Sequence, residues 1–323
     1  MNAAQPQHWA AQTERGTPFF LRLTAWLVCH CPAWLLRLCV RVVVTYFYLT
    51  APAQRRHIAR YQARLTAAFP HLRLPERPVW RQFVTLGEAI TDRFAVWQRQ
   101  IRYADLRVED PDNVYADIGR SAAGGGHGHV LVCSHVGNME VCRALVDHHQ
   151  GFVLNVLVHS RHAEAFNRAL KEAGANDIRL IQVSDLDAAL MLDLHRRLQA
   201  GEWIAIAADR VPVRGEKTVA VDFLGQRALM PQGPWLLACL LKAPLVSVFC
   251  SKINGQYRLR LEHFSAVPDG RKQARAATVA ALAQSFAHRL AAECAVVPLQ
   301  WFNFYDFWGD EADGQNHLLP PQH

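Results

Sequence analysis

The stretch His129-Val130-Leu131-Val132-Cys133-Ser134-His135-Val136-Gly137-Asn138-Met139-Glu140 sets the local fold around it. Its first five residues, 129–133, form a mostly apolar run with the length of a buried strand. Gly137 suits a tight turn, and Asn138 is a residue type that caps helix N-termini. A strand, a turn and a helix start in this order predict that His135 lies at the carboxyl end of a strand. Open α/β sheets bind their ligands at that edge.

Short apolar runs alternate with helical patterns through most of the chain. Strands are predicted over residues 101–109, 129–133, 152–158, 178–183, 203–208, 245–250 and 257–263. Helices are predicted over residues 112–122, 139–149, 162–173, 186–200, 235–242 and 271–293. This alternation predicts an α/β fold with a mostly parallel central sheet flanked by helices.

The N-terminal part of the chain has a different character. Residues 1–16 are polar, and the strongly apolar region that follows is interrupted by arginines and by Pro32. It contains no clean apolar window of about 18 residues, the length that a membrane-spanning helix needs. Two interpretations stay open: a pair of amphipathic helices over 17–31 and 33–50 in the membrane interface, or one short span with snorkelling arginines. Residues 17–100 are predicted to form a membrane-facing helical segment.

Size and charge limit the function classes. The chain has 323 residues, of which 51% are hydrophobic and 20% charged, and this composition excludes a disordered or low-complexity protein. The net charge of +7 suits an acidic partner. Because much of the arginine lies beside apolar stretches, a lipid surface is favoured over nucleic acid. Residues 309–323 are predicted to be a disordered tail.

His135 and Glu140 are the strongest candidates for chemistry. Two residues five positions apart do not share a face of one helix, but they can meet across a strand–loop–helix turn. The carboxylate would then hold the imidazole tautomer and leave the other ring nitrogen to take a proton from a hydroxyl. This is acid–base chemistry without a covalent protein nucleophile.

Two further groups lie at predicted element ends. Asp209 and Arg210 follow the apolar run 203–208, at the same sheet edge as His135. They either position a substrate or form a structural ion pair, and both interpretations stay open. Gly233 precedes a predicted helix, whose free backbone N–H groups would either bind a phosphate or simply be capped.

Taken together, these motifs resemble the lysophospholipid acyltransferase superfamily, whose signature is H-x4-D/E. More narrowly, the chain resembles the lipid A lauroyl/myristoyl acyltransferase group, which uses the H-x4-E form. The resemblance runs from about Trp9 to Trp308. It rests on the segments Ala67–Pro70, His135–Glu140, Ala205–Asp209, Asp222–Gly225 and Gln232–Trp235.

The resemblance implies an O-acyltransferase whose catalytic domain occupies residues 101–308. It would move a fatty acyl chain from an acyl thioester, on acyl carrier protein or coenzyme A, to a hydroxyl of a lipid or glycolipid. His135 would be the general base, Glu140 its partner, and Arg161 would stabilise the oxyanion. Candidate substrate-binding residues are Asn138, Asp209, Arg210 and Gly233. No metal or cofactor is implied.

The implied location is the cytoplasmic face of the bacterial inner membrane, with peripheral or single-anchor attachment. One segment departs from the family pattern: residues 300–308 form an aromatic run where lipid A enzymes carry a Trp and paired arginines. This difference favours transfer to a different lipid, such as the carrier of an aryl-polyene chain. Two other functions stay open: a zinc-dependent hydrolase using His127, His129 and His135, and a non-catalytic membrane-binding protein.

Overall fold

A computed structural model describes residues 31–97, 100–149, 151–158, 178–182, 187–211 and 217–309. The strands are β1 (Arg107–Glu109), β2 (Val130–Cys133), β3 (Leu154–Val158), β4 (Ile178–Gln182), β5 (Trp203–Ala207), β6 (Thr218–Phe223), β7 (Gln226–Pro231), β8 (Leu245–Ile253) and β9 (Gln256–Ser265). The α-helices are α1 (Ala33–Thr50), α2 (Pro52–Ala68), α3 (Pro78–Trp97), α4 (Val114–Ala122), α5 (Arg143–His148), α6 (Ala188–Gln199), α7 (Gly233–Leu241) and α8 (Arg275–Val296). Short 3-10 helices cover Tyr103–Asp105 and Met139–Cys142.

The main sheet has seven strands in the order β1-β9-β8-β2-β5-β3-β4. All neighbouring pairs are parallel except β8 and β9, which form an antiparallel hairpin. This architecture confirms the predicted α/β fold with a mostly parallel sheet. Because β2 and β5 are adjacent and in register, with Cys133 beside Ala207, the residues that follow them emerge at one edge.

Apolar clusters cover both faces of the sheet, and this explains the continuous apolar runs of its central strands. Val130 and Val132 face a cluster that includes α2, α6, α7, α8 and the β6–β7 hairpin. Leu131 and Ala205 face the other side, beneath α4 and α5. Side chains alternate between these clusters because successive residues of a strand point to opposite faces.

The N-terminal helices form a third cluster and leave an apolar surface. Val40 and Val44 of α1 pack against Ile58 of α2 and Phe83 of α3. The exposed large apolar residues of α1 are Trp34, Leu38, Val42, Val43, Tyr46 and Leu49. Within the described ranges, no single helix has the length and apolar composition to cross a bilayer. The bent pair α1 and α2, which meet at 95°, passes that test together by length and composition.

Several predicted elements differ from the observed ones. The β6–β7 hairpin was not predicted, because its turn places Leu224 at a positive φ of 55°, where leucine is an unusual turn residue. The strand expected over 101–109 shortens to β1, and a 3-10 helix takes its first half. The predicted helix 17–31 lies outside the described residues except for Cys31, and the predicted tail 309–323 does so except for Gly309. The predicted helix 162–173 lies wholly outside them.

The aromatic C-terminal segment, residues 300–308, lies across the carboxyl ends of β2 and β5. Val136 forms an antiparallel bridge with Trp301. The Phe302 N–H donates to the His135 carbonyl at 2.9 Å, and the Gly137 N–H donates to the Gln300 carbonyl at 2.8 Å. The loop after β2 is therefore held on one side by a segment that is distant in sequence.

On its other side, the same loop docks against β8 at Gly137. This glycine has φ +70°, and an added Cβ would lie 1.9 Å from the Cys250 carbonyl oxygen. The next backbone N–H, that of Asn138, donates to the same carbonyl at 2.8 Å. Only glycine fits here, because both the backbone angle and the close approach exclude a side chain.

We expect Gly137→Ala to destabilise the protein more than Gly225→Ala. Gly225 also has a positive φ, of 74°, but an added Cβ there would meet nothing within 4 Å. The control therefore measures the cost of the backbone angle alone. Gly137→Ala adds a backbone clash, and overpacking typically costs about 1–3 kcal/mol. Thermal unfolding of the two variants measures the difference, and equal losses would show that the contact with Cys250 does not restrict the loop.

Candidate active site

His135 and Asp209 form the centre of the site. The Asp209 carboxylate accepts the backbone N–H of His135 at Oδ2, at 2.9 Å, and contacts the imidazole Nδ1 through Oδ1, at 2.8 Å. Asp209 has no exposed surface, whereas the His135 side chain is 37% exposed. The carboxylate thus fixes the ring from behind and directs Nε2 outward.

A third donor completes the surroundings of Asp209. The indole Nε1 of the fully buried Trp301 donates to Oδ2 at 3.0 Å. Burial alone would raise the pKa of the Asp209 carboxyl. The charge and hydrogen bonds of His135, together with the charge of Arg210, outweigh that effect and lower the pKa to about 2. Asp209 is therefore ionised at neutral pH.

Glu140 lies in the first turn after the same loop. Its backbone N–H donates to Asn138 Oδ1 at 3.3 Å, and its carboxylate lies 3.8 Å from Arg93 Nε. From the sequence we expected Glu140 to hold the His135 tautomer. The contact to Nδ1 is made by Asp209 instead. Asp209 follows β5, which is adjacent to β2, and the two strands end side by side. A role for Glu140 in the reaction stays a prediction.

Asn138 has a structural function in addition to its position at the site. It is buried, and its Nδ2 donates to the Ala89 carbonyl at 3.0 Å and lies 3.4 Å from the Tyr257 hydroxyl. Tyr257 donates in turn to Asp92 of α3 at 2.6 Å. Asn138 therefore ties the loop after β2 to α3 and β9.

A cavity of about 1160 Å³ opens next to His135. Polar side chains lie where the strands end, and they include His135, Asn138, Glu140 and Arg210. The cavity continues as an apolar pocket between the sheet and α5, with walls that include Leu131, Leu145, Phe152, Val156, Ala205 and Val248. Its other side reaches α1 at Val43 and Phe47. The imidazole thus stands between a polar opening and an apolar channel.

The aromatic segment forms part of the cavity wall. Phe302, Phe304 and Tyr305 line it, whereas Trp301 lies behind His135. The guanidinium of the half-buried Arg210 donates to the Phe302 carbonyl. Burial lowers the pKa of Arg210, and the charge of Asp209 opposes that shift. A cation therefore lies at the edge of the site, held by the same segment.

The arginines of α2 contact this segment as well. Arg60 forms an ion pair with Asp306 at 2.9 Å, and the Arg64 guanidinium lies 4.2 Å from the centre of the Trp308 ring. Arg64 is buried. The basic character of α2 therefore serves partly to hold the aromatic segment in place rather than to form a surface.

The predicted site residues separate into three groups. His135, Asn138, Glu140 and Arg210 line one cavity, with Asp209 directly behind His135. Gly233 is not among the residues that line it and begins α7 elsewhere. Arg161 lies outside the described residues. The contact of Trp301 with Asp209 was not predicted, because no local pattern distinguishes Trp301 from the other aromatic residues of its segment.

The cluster expected for a zinc hydrolase does not form. His129 precedes β2 and His135 follows it, so the strand holds them at opposite ends. Across the described ranges, the group of potential ligands close enough to share one ion combines His129 with Asp117 and His263, without His127 or His135. The zinc interpretation grouped residues that are near in sequence but separated by a strand.

Comparison with known proteins agrees with the geometry. The family model described as "Bacterial lipid A biosynthesis acyltransferase" matches residues 7–309. No curated protein matches the chain. The matched range includes the three N-terminal helices α1 to α3, the whole sheet and the aromatic segment, and it confirms the resemblance found in the sequence.

We expect Asp209→Asn to change how stability depends on pH. The folded pKa, about 2, lies below the ordinary value of 3.8. The ionised form therefore contributes stability above the ordinary pKa, and this contribution is lost as the pH falls from about 4 to about 2. The free energy of unfolding should fall more steeply with decreasing pH in wild type than in Asp209→Asn. Urea unfolding at several acidic pH values measures both slopes, and equal slopes would contradict the assigned ionisation.

Proposed function

We propose a specific reaction for this chain, which belongs to the bacterial lipid A biosynthesis acyltransferase family and is therefore an acyltransferase. It transfers a fatty acyl group from an acyl thioester to a hydroxyl of a lipid or glycolipid acceptor. The observation that carries this proposal is the imidazole of His135, held at Nδ1 by a buried carboxylate and facing a cavity that is polar at one side and apolar inside.

His135 acts as the general base. Because Asp209 occupies Nδ1, the free lone pair lies on Nε2, which takes the proton of the acceptor hydroxyl. The oxygen attacks the thioester carbonyl carbon as the proton leaves. Asp209 stabilises the imidazolium that forms, as a buried carboxylate does for other catalytic histidines. Nε2 then returns the proton to the departing thiolate when the C–S bond breaks.

The oxyanion of the tetrahedral intermediate requires a fixed positive group. The family resemblance assigns this role to Arg161. Arg210, which is half-buried and lines the same cavity as His135, is a second cation that could serve this role. Glu140 shares this part of the cavity and would position the acceptor or the donor. No metal or cofactor takes part in these steps.

The apolar part of the cavity holds the acyl chain. Ala205 lies in register with Leu131 on β2 and with Val156 on β3, so these three residues form a row across the sheet. All three line the cavity. A small residue in the middle of that row leaves room for a hydrocarbon chain.

The acceptor reaches the site from a membrane surface. The cavity meets α1 at Val43 and Phe47, beside exposed apolar side chains such as Val42 and Tyr46. An apolar helix face at a cavity opening is suited to the boundary between headgroups and acyl chains. The proposed location is the cytoplasmic face of the bacterial inner membrane, where acyl carrier protein or coenzyme A supplies the thioester.

The first experiment compares wild type, His135→Ala, Glu140→Ala and the control His127→Ala, whose exposed residue lies beyond the other end of β2. Each is incubated in detergent with radiolabelled acyl carrier protein thioester, or with coenzyme A thioester, and a total lipid extract. We expect a labelled lipid from wild type and His127→Ala. His135→Ala should lose about 10²-fold or more in rate, the usual contribution of a general base. Unchanged activity of His135→Ala would refute the mechanism.

The second experiment tests the acyl pocket with Ala205→Leu. The larger side chain would project into the cavity from the row between Leu131 and Val156 and occupy space proposed for the acyl chain. The preferred acyl chain should shorten by about two carbons or more. Competition among thioesters of different chain length measures the preference, and the rate with the shortest chain is the internal control. An unchanged preference would place the acyl chain elsewhere.

A further inference from the structure

A second group of polar side chains lies at the opposite end of the sheet from His135. Asp117 belongs to α4, His129 directly precedes β2, and His263 lies near the end of β9. The His263 Nε2 lies 2.8 Å from Asp117 Oδ2, and the His129 Nε2 lies 3.8 Å from the same oxygen. One carboxylate oxygen thus faces two imidazole nitrogens.

The topology explains why these residues meet. β9 runs antiparallel to β8, so its last residues lie beside the first residues of the parallel strands. His263 is in register with Val246 of β8, which pairs in turn with Leu131 of β2. His129 and Leu131 point to the same face of the sheet, since they are two positions apart. Helix α4 covers that face and brings Asp117 between the two histidines.

The two rings are already arranged for a shared ligand. Their planes are nearly parallel, at 6°, with centroids 6.3 Å apart. His129 also stacks on the buried Trp203 ring at 4.5 Å, and this contact restricts its rotation. One carboxylate oxygen of Asp117 and one ring nitrogen each of His129 and His263 all lie within 4.8 Å of one another. This spacing is close enough for one ion to contact all three.

We propose that Asp117, His129 and His263 bind a divalent transition-metal ion of the zinc class. Two imidazole nitrogens and one carboxylate oxygen form a ligand set that zinc accepts, whereas calcium and magnesium prefer oxygen ligands alone. The His263 side chain is 48% exposed, so water can complete the coordination shell.

The site is structural and separate from acyl transfer. His129 and His135 lie at opposite ends of β2. The ion would join α4 to the start of β2 and to the end of β9. One group competes with the ion: Arg120 forms an ion pair with Asp117 through the other carboxylate oxygen. The Arg120 side chain is 63% exposed, so it can turn into solvent when a cation binds.

The test uses the full-length chain without a histidine tag. Wild type, His263→Gln and the control His127→Gln are stripped with chelator, dialysed against zinc, and measured by elemental analysis. His127 is exposed and two positions from His129, yet it lies outside the group. We expect about one ion per chain in wild type and in His127→Gln. His263→Gln should bind zinc at least about tenfold more weakly, because even an outer-shell change costs that much.

A spectroscopic measurement and a folding control accompany the metal analysis. Cobalt(II) bound by these nitrogens and this oxygen should give visible absorption in wild type and His127→Gln, and a weaker signal in His263→Gln. Thermal unfolding of the same samples shows whether His263→Gln remains folded. The proposal is overturned if wild type retains no zinc, or if a folded His263→Gln retains as much as wild type. The hydrogen bond between His263 and Asp117 would then explain the group by itself.

Discussion

The rest of the site depends on a single buried ionised carboxylate. An uncompensated charge in a protein interior costs several kcal/mol, so Asp209 must be surrounded by donors. Three donors reach it: the backbone N–H and the ring of His135, and the indole of Trp301. These contacts join the end of β5, the loop after β2 and the aromatic segment, residues 300–308. The orientation of the His135 imidazole is therefore set by three segments that are distant in sequence rather than by its own loop alone.

The aromatic segment acquires its importance from the same contacts. It closes over the carboxyl ends of β2 and β5, supplies Trp301 to Asp209, and forms part of the cavity wall with Phe302, Phe304 and Tyr305. Two arginines of α2, Arg60 and Arg64, help to hold it through Asp306 and Trp308. The sequence-based expectation of an acceptor other than a phosphorylated saccharide depends on this aromatic wall, and it stays a prediction. The proposed function therefore places the acceptor beside the membrane and the acyl chain beneath the sheet face.

The sequence predicted the strands, which depend on local pattern, but it did not predict contacts between segments that are distant in sequence. The alternation of apolar runs located β2 and β5, and the shared sheet edge brought His135 and Asp209 together as expected. The choice between Glu140 and Asp209 as the carboxylate on Nδ1 was beyond prediction, since it depends on the register of two strands. Trp301 is 92 residues from Asp209 in sequence, and no local signal connects them. For His129 the sequence suggested a wrong partner. His135 is near it in sequence, but β2 separates the two residues, and His129 lies beside Asp117 and His263 instead.

The tautomer of His135 tests the central interaction most directly. NMR of protein labelled with ¹⁵N in histidine distinguishes the two ring nitrogens, and a His135→Gln sample assigns the signal among the 16 histidines. With Asp209 on Nδ1, the neutral ring should carry its proton on Nδ1, and that proton should resonate far downfield and disappear in Asp209→Asn. A neutral ring protonated on Nε2, or a spectrum unchanged by Asp209→Asn, would show that Asp209 does not orient the His135 ring.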